Sequence, residues 1–101
     1  MPIVKPAKFK GADVQVRELT VAELDDILAN TGEMSMIDRL FDADLVTERM
    51  LSVTTGIPAE DLRSVSASDL RPLVEVVKEA HPDFLSAMAH FDQRRAAALA
   101  R

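Results

Sequence analysis

The chain has 101 residues and a net charge of −5, a length that suits one domain with a modest core. It contains no Cys, Trp or Tyr and four Phe, so disulfides, thiolate metal sites and cysteine nucleophiles are excluded and the core is mainly aliphatic. No run approaches the roughly 20 apolar residues that span a bilayer, and the N-terminus lacks a signal-peptide apolar region, so the expectation is a soluble intracellular protein with no membrane partner.

Residues 1–8 carry Pro2 and Pro6 and read as an extended, frayed lead-in. From Phe9, Val14 and Val16 alternate with polar neighbours and Gly11 to Asp13 supply turn chemistry, which predicts a short β-hairpin. Two strands alone are marginal, so a helix must lean on them. Thr20-Val21-Ala22-Glu23 is a capping box, with Leu19 and Leu24 placed as its hydrophobic staple. The first helix is expected from Val21 to Asn30 with Leu24, Ile27 and Leu28 inward, ending at Gly32.

Met34 to Thr55 reads as one longer helix, or two with a bend near Phe41 to Asp44. Its stripe of Met36, Ile37, Leu40, Phe41, Leu45, Val46, Met50 and Val53 is too wide for a solvent-facing helix, and Gly56 and Pro58 end it. Pro58 to Leu62 forms a short helical turn that returns Leu62 and Val65 to the core. In the next helix Leu70, Leu73, Val74 and Val77 share one face, and with Asp69 as cap Pro72 falls in the first turn. The chain stops at His81 and restarts at Pro82, opening a last helix that runs to about Arg95. The predicted fold is mainly α, a compact bundle of four to five helices preceded by a short N-terminal β-hairpin or extended segment. Residues 1–8 form the lead-in, 9–95 a single domain and 96–101 a frayed Ala-rich tail.

The search for chemistry returns no catalytic motif. His81 and His90 fit neither HxxxH nor HExxH, no DxDxDG loop is present, and Gly11, Gly32 and Gly56 are too scattered to cradle a phosphate. No serine lies in a G-x-S-x-G elbow, and Ser35 lacks the Asp-Ser-Leu setting of an acyl carrier protein. The expectation is a non-enzyme with no cofactor and no metal. Charge is unevenly spread, at +2 over residues 1–20, −8 over 21–69 and +1 over 70–101. The acidic middle disfavours nucleic acid, and a helix-turn-helix reading fails because Leu70–His81 carries only Arg71 and Lys78 against Glu75 and Glu79. Met34, Met36, Met50 and Met88 suit a groove for varied apolar segments.

The order of these elements resembles the small tail assembly chaperones of long-tailed bacteriophages and prophages. The matching pieces lie within residues 9–90: a hairpin-like lead into Val16 to Leu24, the turn Gly56-Ile57-Pro58-Ala59-Glu60-Asp61-Leu62, then Ser68-Asp69-Leu70-Arg71-Pro72-Leu73 and the corner His81-Pro82-Asp83-Phe84-Leu85. The corner is similar to an Asn-Pro-Asp-Phe-Phe type, with His81 in the place of the better-capping Asn. The resemblance implies a protein of the bacterial host cytoplasm that binds the tape measure protein, keeps it soluble and hands it over as tail-tube subunits polymerise. It also implies absence from the mature virion and, in many members, a frameshifted longer form. The residues expected to meet the client are Phe41, Leu45, Met50, Phe84, Met88 and Phe91. The alternative is a generic helical adaptor that binds one partner helix, with self-association left open.

Overall fold

In the computed structural model, residues 3–29 and 34–87 are described. Strands β1 (Val4–Phe9) and β2 (Ala12–Arg17) form an antiparallel hairpin in which Val4 faces Arg17 and Phe9 faces Ala12. The turn is Lys10-Gly11, with φ of 53° and 78°, the left-handed pair that a two-residue hairpin loop demands. The hairpin therefore begins at Val4, inside the segment expected to be a frayed lead-in, and its turn sits one residue before the expected one. Pro6 does not prevent this, because β1 is an edge strand and can lack one N–H on its open side.

Helix α1 (Val21–Ala29) starts at the predicted box. Thr20 Oγ1 accepts the Glu23 N–H at 3.2 Å, and Glu23 Oε1 accepts the Thr20 N–H at 2.9 Å. Ile27 is buried and Leu24 partly so, but Leu28 points outward, a correction to its expected place. The expected stop at Gly32 lies outside the described residues.

The Met34 to Thr55 stretch divides into α2 (Met36–Leu40), a 3-10 turn (Asp42–Asp44) and α3 (Glu48–Thr55). Each helix has its own cap: Ser35 Oγ accepts the Asp38 N–H and Thr47 Oγ1 accepts the Met50 N–H, both at 3.1 Å. Leu45 at φ 61° makes the bend, and Gly56 at φ 78° ends α3. Helix α4 (Ala59–Leu62) is the expected short turn, with Leu62 fully buried.

Helix α5 (Ala67–Ala80) begins three residues earlier than expected, because Ser66 rather than Asp69 is the cap; its hydroxyl accepts the Asp69 N–H at 3.3 Å. Pro72 is consequently inside the helix. The backbone bond it cannot make would have ended on the carbonyl of exposed Ser68, where water can serve. Residues 82–87 are helical; the rest of the expected last helix, and the 96–101 tail, lie outside the described residues.

The architecture is mainly α with an N-terminal hairpin, but it is not a simple bundle. α5 packs on both strands and α3 packs on β2, so the hairpin forms one wall of the core rather than an appendage. Val16, Leu51, Leu62, Leu73, Val74 and Val77 meet there with no exposure.

Candidate partner-binding surface

Two of the six residues expected at a client surface belong to the core. Phe41 and Met50 are each 1% exposed. Phe41 is folded in by the α2 to α3 bend: its N–H donates to Ile37 O at 3.1 Å and its carbonyl accepts the Asp44 N–H at 3.0 Å. The Arg71 guanidinium lies over its ring, 4.9 Å from the centroid. Met50 faces inward with Leu51 from α3, the helix that packs on β2. Leu45 and Phe84 are half-buried, Phe84 against the core, while Met88 and Phe91 lie outside the described residues. Neither Phe41 nor Met50 is available to a client in this conformation.

A different apolar set is open. Val21 is 83% exposed and Met36 66%, and Leu28, Met34 and Leu40 are exposed as well. Met36 and Leu40 are four apart on α2, and Val21 and Leu28 seven apart on α1, so each pair lies along one helical face. The signal for this was present in the caps. Ser35-x-x-Asp38 and Thr47-x-x-Met50 mark two helix starts, and reading both would have shortened α2 to a stub unable to bury Met36 and Ile37 together.

Charged side chains fix the helices that carry this set. Both Nη atoms of Arg17 donate to the Glu23 carboxylate, at 2.8 and 2.7 Å, anchoring α1 to β2. Those bonds, with the Thr20 N–H, hold the Glu23 carboxyl down at about 2. Arg49 joins α3 to Asp26 of α1 at 2.9 Å. Asp38 serves twice: one oxygen accepts the Ser35 N–H at 3.1 Å and the other the Glu48 N–H at 2.8 Å, which stitches α2 to α3. Buried Glu48 pairs with Arg63: Nη2 donates to Oε2 at 3.0 Å, and Nε lies 2.7 Å from Oε1. Ile27, Asp38, Arg49, Ser52, Val53 and Arg63 border an open cleft of about 580 Å³ between these helices. A smaller one of about 400 Å³ lies between Leu40 and the start of α5 at Ala67 and Ser68.

Asp44 ties the bend to α5 by accepting from Arg71 at 2.7 Å and Lys78 at 2.9 Å. Lys78 first, and Arg71 with it, holds the Asp44 carboxyl below the usual carboxylate range, against the opposing effect of its partial burial. His81, expected only to end one helix and open the next, is 2% exposed and does both. Its N–H bonds Lys78 O at 3.1 Å, and its carbonyl accepts the Leu85 N–H at 3.1 Å. Its ring also reaches the segment between β2 and α1, where Nε2 accepts the Leu19 N–H at 2.9 Å. Nδ1 lies 2.8 Å from Val77 O, so it carries the single proton and donates it there.

Among the described residues no group of three or more His, Asp or Glu is placed to hold a metal ion, and no helix is long and apolar enough to cross a membrane. Comparison with family models, curated proteins and solved structures gives no match.

Proposed function

We propose that this protein is a non-enzymatic tail assembly chaperone that binds the tape measure protein of a long-tailed phage or prophage, keeps it soluble and delivers it for tail-tube polymerisation in the host cytoplasm. The observation that carries the reading is the run of exposed Val, Leu and Met side chains along α1 and α2, left over after the core is filled. A long helical client presents an apolar stripe, and short helices with flexible thioethers can cover successive stretches of such a stripe. The −8 charge over residues 21–69, which include both helices, favours a dispersed complex. The sequence resemblance supports the same role.

The test is co-expression with the longest helical reading frame just downstream in the protein's own genome, followed by fractionation and pull-down. A soluble complex, with the long protein insoluble alone, is the expected result. A long protein that stays insoluble or unbound removes the chaperone reading. The second reading, a helical adaptor for one partner helix, draws on the cleft beside Ile27 and Val53. It predicts one partner per site at fixed stoichiometry rather than several chaperones along one client.

A further inference from the structure

The two edges of the hairpin differ in a way that selects what can pair with them. The Glu18 N–H donates to Ile3 O at 2.7 Å, just beyond the ladder, which marks that position as hydrogen-bonded. Alternation along an antiparallel pair then makes Lys5 and Val16, Ala7 and Val14, and Phe9 and Ala12 hydrogen-bonded pairs. Val4 and Arg17, Pro6 and Gln15, and Lys8 and Asp13 are the non-bonded pairs, and their backbone groups point away from the partner strand. On β1 this outward row is Val4, Pro6 and Lys8, interrupted at its centre by a proline with no N–H. On β2 it is Asp13, Gln15 and Arg17, each with both a donor and an acceptor. All three are exposed, and among the described residues no third strand and no other group bonds their backbone.

We propose that the free edge of β2 pairs antiparallel with β2 of a second copy of this chain, about a two-fold axis through Gln15. The charge pattern is self-complementary in that register. Gln15 meets the partner's Gln15, Asp13 meets the partner's Arg17, and the reciprocal pair repeats across the axis. A register centred on Asp13 or on Arg17 would instead set like charges directly opposite each other. The three side chains lie on the solvent face of the sheet and keep capacity for the new pairs. Lys8 contacts one oxygen of Asp13, and Glu23 uses two of the five N–H donors of Arg17.

The assembly closes at two chains. In the resulting four-stranded sheet both outer edges are β1, where Pro6 and the exposed Lys8 oppose further addition.

Sedimentation equilibrium of the full chain over a wide concentration range tests this. The expected result is a monomer–dimer equilibrium. Gln15→Pro removes the central outward N–H while leaving the β1–β2 ladder intact, as Pro6 does on the facing strand, and should give a folded monomer by circular dichroism. Asp13→Arg should weaken the dimer about tenfold by placing Arg opposite Arg at two positions. Mixing Asp13→Arg with Arg17→Asp should restore association as a heterodimer, a readout that stands even if Gln15→Pro fails to fold. A chain that is monomeric at every concentration overturns the proposal, as does a dimer indifferent to Gln15→Pro and Asp13→Arg. Protection of the β2 amides from hydrogen exchange only when a client is added also overturns it, and would assign the edge to a client strand.

Discussion

Nε2 of His81 accepts the backbone N–H of Leu19, joining two residues 62 apart in sequence through a buried ring. Leu19 precedes the α1 cap and His81 follows the last residue of α5, so one imidazole joins the hairpin exit to the end of α5, while the His81 carbonyl holds the Leu85 N–H of the helical 82–87 segment. Replacing His81 with Leu keeps the apolar volume but orphans the Leu19 N–H in a buried site. The expected loss is about 2–3 kcal/mol of stability, measured by urea unfolding. An unchanged midpoint would mean that water replaces the ring.

Asp44, like Glu23, contributes to the acid limb of stability. Its folded carboxyl binds protons less readily than in the unfolded chain, so acid favours unfolding. The contribution is complete above the ordinary carboxylate range and is lost as pH falls through the lowered folded value. Asp44→Asn should lower stability by about 1–2 kcal/mol at neutral pH and flatten the acid limb of the thermal midpoint against pH. Parallel curves for the two proteins would count against this role.

The exposed and buried apolar residues should separate cleanly by substitution. Met36→Asp and Leu40→Asp should leave stability within about 0.5 kcal/mol and abolish capture of the long helical client in a pull-down. Phe41→Ala should cost about 3–5 kcal/mol and Met50→Ala about 2–5 kcal/mol, because both create cavities. A client still captured by the Met36→Asp, Leu40→Asp double variant would move the binding surface elsewhere.

Pro72 is a helix residue that the fold would be more stable without. Pro72→Ala restores the missing bond to the Ser68 carbonyl at an exposed position and should raise stability by about 1–3 kcal/mol. A lower thermal midpoint would show instead that the proline's restriction of the unfolded chain is the larger effect.

The hairpin turn offers a paired control. Gly11→Ala forces a Cβ into φ 78° and should cost about 1 kcal/mol, whereas Lys10→Asn, at φ 53°, should be neutral or stabilising. Chemical denaturation of both variants checks the opposite signs.

Local grammar was readable from sequence and distant geometry was not. The box at Thr20 to Glu23, the stop at Gly56 and the restart at Pro82 are each written in a few adjacent residues. The break in the Met34 to Thr55 stretch was readable as a bend near Phe41 to Asp44, where the 3-10 turn falls, but the positive φ of Leu45 was not, since a leucine there is held by its surroundings and not by its own preference. The periodicity of the stripe does not say which of its residues the bend turns inward: Phe41 and Met50 are buried, while Met36 and Leu40 are exposed. His81 was legible as a boundary, but its bond to Leu19 depends on how α5 crosses the hairpin, which no local pattern records. The hairpin was readable, but its first strand starts at Val4 and not at Phe9, because Pro6 discourages a strand assignment in general, while its particular register makes it harmless.

The hairpin precedes α5 in the chain by about fifty residues, yet each covers the other. During synthesis the strands leave the ribosome with no helix to shelter Phe9 and Val16, and a two-stranded hairpin does not persist alone in water. Folding of this core must therefore wait until α5 has been translated and then proceed as one cooperative event. A ribosome stalled before Ala80 would hold a chain whose hairpin is still unstructured and open to proteases.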